Sequence, residues 1–307
     1  MRYRQLGSSG LTVSVVGLGC NNFGSRLDLD ASRQVVERAL DLGVTLLDTA
    51  DTYGNRGGSE EILGEVLRKR RDEVVLATKW GSDMGTGERE ARGGRRYLRR
   101  AVEASLRRLR TDHIDLYQLH RPDPKTPIVE TLAALDELVG EGKVRYVGSS
   151  NFTAWQVADA DWTARTHGWE PMVSAQNHYS LLERDAEAEL LPACGHFGVG
   201  VLPYFPLANG LLTGKYRRGE PMPEGTRLSG REIDSATFER LEALEAFAAD
   251  RGHSLVDLAF AGLLAHPEVS SVIAGATRPE QVEANVAAGS WELDAAELPP
   301  PDLVAAA

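Results

Sequence analysis

Short apolar runs alternate with longer stretches of helical spacing along the chain, and this unit repeats eight times. The runs predict strands at 13–18, 44–47, 74–78, 114–119, 144–148, 172–176, 199–203 and 271–273. Strict alternation of strand and helix predicts parallel strands joined by right-handed crossovers. Eight units without a Pro/Ser-rich linker favour a single α/β domain over residues 1–307, a closed (β/α)8 TIM barrel, rather than an open doubly wound sheet.

Two additions to the eight units are predicted. Residues 2–6 and 11–13, joined by Gly7-Ser8-Ser9-Gly10, form a predicted N-terminal β-hairpin that would close the barrel floor. Between the seventh and eighth strands lie a Gly/Pro/Arg-rich loop at 214–230 and two helical stretches, 235–251 and 254–266. Because one helix would suffice there, we expect an extra helix between strands 7 and 8.

Local residues indicate where several of the remaining helices begin and end. These helices are predicted at 31–42, 60–70, 97–109, 128–139, 153–166, 186–196 and 279–287. Thr153 is a plausible N-cap, Gly43 and Gly142 suit the left-handed residue that ends a helix, and Pro279 suits a first helical turn.

The charge balance and the cysteine count narrow the possible partners and compartment. The chain has 34 Lys+Arg against 45 Asp+Glu, a formal net charge of −11. An acidic surface repels polyanions, so we expect no nucleic-acid partner and no anionic membrane partner. The two cysteines cannot form a disulfide framework and the first residues lack an apolar signal-peptide core. No apolar run approaches the roughly 18 residues of a membrane span, so a cytoplasmic location is predicted.

In a (β/α)8 barrel the reactive side chains lie at the carboxyl ends of the strands. Asp48 follows the second predicted strand and Lys79 follows the third. Burying either charge alone is costly, which predicts an ion pair. Tyr53 follows in a predicted loop, where its hydroxyl would reach the Lys79 ammonium. That contact predicts a lowered pKa for Tyr53, making it a general acid near neutral pH.

His120 differs from the other histidines because it directly follows an apolar strand, which Arg121-Pro122 then ends. An imidazole there would donate a hydrogen bond to a substrate oxygen. No His, Cys and carboxylate set has metal-ligand spacing, so no metal is expected. The glycine-rich stretches 17–22 and 210–215 fit neither a Rossmann fingerprint nor a P-loop. The second still places backbone amides and Lys215 near strand 7, where barrels often bind phosphate.

These residues together resemble the aldo-keto reductase family from Met1 to about residue 293. The stretches that resemble it are DTADTYG at 48–54, ATKWG at 77–81, DLYQLHRPDP at 115–124, VGSSNF at 147–152, PLANGLLTGKY at 206–216 and VIAGATRPEQVEAN at 272–285. The resemblance implies a (β/α)8 barrel that binds a nicotinamide dinucleotide across the strand ends without a Rossmann domain. It also implies a small-molecule carbonyl substrate.

The resemblance implies a catalytic tetrad of Asp48, Tyr53, Lys79 and His120. Tyr53 would protonate the carbonyl oxygen, Lys79 and Asp48 would tune Tyr53, and His120 would orient the carbonyl. Relatives that reduce carbon–carbon double bonds, or serve as channel-associated subunits, have another residue in place of the histidine. His120 therefore favours carbonyl reduction.

The resemblance also implies a cofactor site, and Asp48 is one of the residues expected to bind the cofactor. Ser150, Asn151 and Gln176 would hold the carboxamide and Tyr204 would stack on the nicotinamide. The residues implied at the pyrophosphate and adenosine end are Leu207, Lys215, Arg227, Gly275, Thr277, Gln281 and Asn285. The residues that bind the 2′-phosphate in one large branch of the family are absent, and Arg278 is the nearest cation that would replace them. A guanidinium suits a phosphate, so NADP (NADPH) is the expected cofactor.

Two alternatives to an NADPH-dependent aldehyde or ketone reductase stay open. Lys79 at a strand end would also suit a Schiff-base nucleophile in an aldolase-like barrel, although Asp48 argues against it by keeping the amine charged. A cofactor-binding regulatory or redox-sensing subunit with little turnover would keep the dinucleotide residues and lose Tyr53 and His120. The sequence leaves the physiological substrate and the oligomeric state open.

Overall fold

The computed structural model of the protein describes residues 1–85, 91–221, 228 and 232–299. An antiparallel hairpin comes first, in which β1 (Tyr3–Gln5) pairs with β2 (Thr12–Ser14). Leu6 and Val13 of this hairpin segment are fully buried in a cluster inside the barrel. The Ser8 amide donates to the Gly198 carbonyl, two residues before the strand that begins at Gly200, at 2.8 Å. The hairpin therefore covers the amino ends of the barrel strands, as predicted.

Eight parallel strands form the barrel and follow one another around it in chain order, with the last strand beside the first. They are β3 (Val16–Gly19), β4 (Leu46–Asp48), β5 (Val75–Trp80), β6 (Ile114–Leu119), β7 (Val144–Ser150), β8 (Ser174–Gln176), β9 (Gly200–Val201) and β10 (Val272–Gly275). Single bridges between Val201 and Val269 and between Tyr204 and Ile273 join the β9 and β10 segments. The sheet therefore closes on itself, which confirms the predicted (β/α)8 fold.

Helices surround the strands. They are α1 (Leu29–Asp41), α2 (Tyr53–Val66), α3 (Arg95–Leu109), α4 (Ile128–Gly140), α5 (Ala154–His167), α6 (Leu190–Phe197), α7 (Ser235–Ala249), α8 (Leu255–Leu264) and α9 (Pro279–Ala288). Both α7 and α8 lie between β9 and β10, so the predicted extra helix is confirmed. Within the described ranges, no helix has the length and apolar character needed to cross a membrane.

The core has two layers that follow from the alternation of side chains along each strand. One large apolar cluster lies between the sheet and the helices, and a smaller cluster fills the barrel interior. Where α2 approaches α3, Gly64 leaves no room for a side chain, because a Cβ there would lie 2.3 Å from the Arg108 carbonyl oxygen. Outward-facing strand side chains therefore pack against the helices, and inward-facing strand side chains fill the barrel interior.

The four helix ends that were predicted from a capping or turn residue agree with the structure. Gly43 and Gly142 have φ values of 82° and 74°, in the left-handed region that ends a helix. Thr153 is the N-cap of α5 in a capping box with Gln156. Pro279 is the first residue of α9.

Several predicted boundaries are wrong, including those of the first and seventh strands and of the second helix. The first predicted strand, 13–18, is divided between β2 and β3, because the Ser14 hydroxyl donates to the Val16 carbonyl at 2.7 Å where the chain turns from hairpin into barrel. The seventh, 199–203, shortens to β9 because Pro203 has no amide hydrogen for the ladder. The second helix begins at Tyr53 rather than residue 60, although the four residues after Tyr53 are left-handed.

Candidate active site

Asp48 and Lys79 form a buried ion pair at the carboxyl ends of β4 and β5. Lys79 Nζ donates to Asp48 Oδ2 at 2.6 Å and to the Thr49 carbonyl at 2.9 Å. Burial lowers the pKa of Lys79, but the Asp48 carboxylate and the Tyr53 hydroxyl together raise it by more, so the net shift is upward. The predicted ion pair is present, and the amine stays charged at neutral pH.

Two glutamine side chains hold the other oxygen of Asp48. Gln176 Nε2 donates to Asp48 Oδ1 at 2.8 Å and Gln118 Nε2 donates to the same oxygen at 3.4 Å. No role was predicted for Gln118 from the sequence. A buried glutamine on β6, two residues before His120, was the available signal, since alternate residues along a strand face one side of a sheet. Both carboxylate oxygens of Asp48 are therefore bonded, which fixes the acceptor for Lys79.

Tyr53 lies at the start of α2, with Lys79 Nζ 5.2 Å from the centroid of its ring. Burial raises the pKa of Tyr53 above its ordinary value, and the charge of Lys79 opposes this shift without reversing it. The predicted lowering of this pKa is therefore wrong, because burial has the larger effect. Tyr53 keeps its proton at neutral pH, which is the state that a proton donor needs.

His120 faces Tyr53 edge-on, with ring centroids 5.8 Å apart and an interplanar angle of 83°. Burial, followed by the charges of Lys79 and Arg121, lowers the pKa of His120 to about 3. Its Nδ1 is buried and, among the residues that the structure describes, has no hydrogen-bond partner. The imidazole is therefore neutral at physiological pH and has one donor and one acceptor nitrogen.

The ends of β6, β7 and β9 meet at Asn151, which has the left-handed φ of 60° that asparagine tolerates. Its Nδ2 donates to the His120 carbonyl at 2.9 Å, and its Oδ1 accepts the Tyr204 hydroxyl at 2.8 Å. The Ser150 hydroxyl donates to the Gln176 carbonyl at 2.8 Å. The structure thus brings the four residues predicted for the carboxamide end together beside the tetrad.

The residues predicted for the adenosine end gather around the start of α9. Gly275, at the end of β10, is exposed, and Arg278 is the exposed N-cap of α9, with Glu280 as an ion partner at 3.9 Å. The Thr277 amide donates to Gln281 Oε1 at 2.7 Å, so these two side chains stabilise the turn into the helix. Asn285 is buried further along α9.

The loop after β9 contains the remaining predicted cofactor residues. Leu207 precedes a 3₁₀ segment, Ala208–Thr213, and its carbonyl accepts the Gly210 amide at 2.7 Å. Lys215 is exposed, with its Nζ 5.0 Å from the Tyr216 ring centroid. Arg227 lies outside the described residues.

A cluster that was not predicted from the sequence lies behind the tetrad. Glu60 is fully buried, where it accepts from Thr78 Oγ1 at 2.6 Å and from Arg108 Nε at 2.7 Å. Asp51 is buried beside it, and burial, followed by the charge of Glu60, raises the pKa of Asp51 to about 8. In the described part of the chain, no group of three or more His, Cys, Asp or Glu side chains would hold a metal ion.

A closed barrel with a protonated tyrosine, a charged lysine, an aspartate and a neutral histidine at its carboxyl end defines a class of (β/α)8 oxidoreductase. The family model described as the Aldo/keto reductase family matches residues 15–300. The chain therefore belongs to the aldo/keto reductase family and is an NAD(P)H-dependent oxidoreductase whose general activity is carbonyl reduction.

Individual relatives agree with this assignment. An uncharacterized oxidoreductase of Bacillus subtilis (strain 168) is 39% identical over 305 residues, which cover 96% of this chain and 93% of that protein. The L-glyceraldehyde 3-phosphate reductase of Escherichia coli (strain K12) is 37% identical, covering 94% of this chain and 87% of that protein. A probable voltage-gated potassium channel subunit beta of Arabidopsis thaliana is 35% identical, covering 94% and 91% respectively.

Proposed function

We propose that the protein reduces aldehydes or ketones to alcohols with NADPH, and that Tyr53 is the general acid. The observation that supports this most directly is the grouping of a protonated Tyr53, the 2.6 Å pair of Lys79 with Asp48, and a neutral His120 at one end of the barrel. Each group is in the protonation state that reduction of a carbonyl requires.

The chemistry of the four side chains follows from their surroundings. Tyr53 gives its proton to the carbonyl oxygen as negative charge develops there. The tyrosinate that remains is stabilised by the Lys79 ammonium, whose nitrogen is 5.2 Å from the ring centroid. Asp48 keeps that ammonium charged, and the neutral His120 donates a hydrogen bond that orients the carbonyl.

The residues at the strand ends fit a nicotinamide dinucleotide. Tyr204 is half-buried and stacks on His178 with an interplanar angle of 8°, and Asn151 and Ser150 offer polar atoms beside it. The exposed Gly275 lies next to the amino end of α9, and helix amino ends favour phosphate. When bound, the dinucleotide supplies the hydride.

NADP is proposed over NAD because Arg278 is exposed at the N-cap of α9 and its contact with Glu280, at 3.9 Å, is long. A guanidinium suits the 2′-phosphate. Titration of both cofactors against the protein and its Arg278→Ala variant tests this. We expect Arg278→Ala to lose the preference for NADPH, and equal affinity of the unaltered protein for NADPH and NADH would contradict the assignment.

The reductase function is tested by NADPH consumption with a panel of small aldehydes and ketones. Tyr53→Phe keeps the ring and removes the acid, so we expect turnover to fall by about 10²-fold or more while NADPH binding is unchanged. Binding of NADPH without turnover of any carbonyl would instead favour a regulatory or redox-sensing subunit. One relative is named as a channel subunit, but Tyr53 and His120 are both present in this chain.

The aldolase alternative is disfavoured because the fully buried pair with Asp48 keeps Lys79 charged and not nucleophilic. Borohydride trapping of a substrate adduct on Lys79 would revive it. We also propose that residues 1–307 act as one domain. A cytoplasmic location stays a prediction from cysteine usage, and both cysteines are buried and unpaired.

A further inference from the structure

Arg121 directly follows His120, where β6 leaves the sheet. The backbone at this point is tied to the site, because Asn151 bonds both the His120 carbonyl, at 2.9 Å, and the Tyr204 hydroxyl, at 2.8 Å. Arg121 is exposed, and it makes no hydrogen bond or ion pair with any residue that the structure describes. A guanidinium with no partner among the described residues thus lies at the mouth of the proposed active site.

The charge of Arg121 acts on two side chains of the site, His120 and Tyr204. The pKa of His120 is lowered by burial, then by the charge of Lys79, and then by the charge of Arg121. The pKa of Tyr204 is raised by burial, and the charge of Arg121 opposes that shift. Glu183 is the carboxylate that also acts on Tyr204, but it is not among the charges that shift His120. The Arg121 charge therefore acts on the side chain that is proposed to orient the carbonyl.

The other catalytic groups offer no free charge to an anion. Lys79 is neutralised by Asp48 at 2.6 Å, Tyr53 keeps its proton, and His120 is neutral. An anionic substituent on a bound substrate would find its counter-charge in Arg121. Because the chain has a net charge of −11, an anionic substrate needs a local cation, and Arg121 would supply it at this point.

We propose that Arg121 determines specificity by binding an anionic group on the carbonyl substrate, so that the preferred substrates are aldehydes or ketones with a carboxylate or a phosphate. This inference rests on the proposed reductase function and narrows it to a class of substrate. A guanidinium presents a planar fork of donors that matches either oxyanion in two parallel hydrogen bonds.

The test compares matched aldehydes that differ in charge. One pair is 4-carboxybenzaldehyde with methyl 4-formylbenzoate, and the other is glyceraldehyde 3-phosphate with glyceraldehyde. The measurement is kcat/KM with NADPH for the unaltered protein, Arg121→Ala and Arg121→Lys. Arg145→Ala is the matched control, because Arg145 is an exposed arginine at the opposite end of β7.

We expect the unaltered protein to prefer an anionic aldehyde, and Arg121→Ala to lower the ratio of anionic to neutral kcat/KM about tenfold or more. The neutral aldehydes should change less than about twofold, since charge recognition alone is lost. Arg121→Lys should keep part of the preference, because a lysine retains the charge without the fork. Raising the salt concentration should lower the ratio for the unaltered protein but not for Arg121→Ala, which has no charge there to screen.

A ratio that is the same in the unaltered protein and in Arg121→Ala overturns the proposal. So does an equal loss in Arg145→Ala, because the effect would then come from overall charge. If Arg121→Ala affects only the carboxylate pair or only the phosphate pair, the proposal holds and the anion is identified. If none of the aldehydes is reduced although NADPH binds, the proposed reductase function itself fails.

Discussion

Replacing Asp51 with asparagine should change how the stability of the protein depends on pH. Asp51 is 1% exposed, and in the described part of the structure no side chain donates a hydrogen bond to either of its carboxylate oxygens. The nearby cation, Arg108, is bound to Glu60 at 2.7 Å. One guanidinium cannot neutralise two buried carboxylates, so burial, together with the charge of Glu60, raises the pKa of Asp51 to about 8.

The sign and size of the effect follow from proton linkage. In the unfolded chain Asp51 loses its proton near pH 3.8, whereas in the folded protein it keeps the proton up to about pH 8. Between these values the folded state binds more protons, so the free energy of unfolding falls as the pH rises. The slope is about 1.4 kcal/mol per pH unit, or about 4 kcal/mol from pH 5 to pH 8. An asparagine side chain does not titrate, so Asp51→Asn should lose less stability over this range.

The measurement is urea unfolding, followed by circular dichroism, of the unaltered protein and Asp51→Asn at pH 5, 6, 7 and 8. The two proteins have the same other titrating groups, so the difference between their free energies of unfolding at each pH gives the contribution of Asp51. Asp159→Asn, at an exposed aspartate of α5, is the control and should run parallel to the unaltered protein. Curves for Asp51→Asn and the unaltered protein that stay parallel within about 0.5 kcal/mol, the usual limit for a surface substitution, would contradict the assigned protonation of Asp51.

Two further predictions concern the same region. Lys79→Met should abolish turnover. It should also lower the free energy of unfolding in urea by about 3–5 kcal/mol, because Asp48 is left as an unpaired buried charge. An unchanged free energy of unfolding would show that Asp48 takes up a proton instead. Gly64→Ala should destabilise the protein in the same assay, although alanine ordinarily favours a helix by about 1 kcal/mol, because its Cβ would lie 2.3 Å from the Arg108 carbonyl. Gly140→Ala in α4, with nothing within 4 Å, is the control and should not be destabilised.

Much of the fold could be predicted from the sequence because local periodicity reports which face of each element is buried. The eight strands, the floor hairpin and the extra helix all follow from the spacing of apolar residues and from turn residues such as Gly43. The Asp48–Lys79 pair was also predictable, since two opposite charges beside buried strands have few other ways to be neutralised.

Side-chain partners distant in the sequence were not predictable in this way. Gln176 bonds Asp48 across 128 positions, and Tyr204 bonds Asn151 across 53. Nothing in the local pattern around either residue specifies the other, because the register of the closed barrel decides which strand ends meet.

The amino-acid sequence alone determines the order of the elements, the end of the barrel where the catalytic residues lie and the residue types present there. The protonation of those residues depends instead on how the elements pack in three dimensions. Tyr53 was expected to have a lowered pKa from its proximity to Lys79, but its burial outweighs that charge. Asp51 keeps its proton because it is buried and because α3 supplies one arginine for two carboxylates. A pKa depends on the depth of burial and on every nearby charge, and both are set by packing between elements rather than by local sequence.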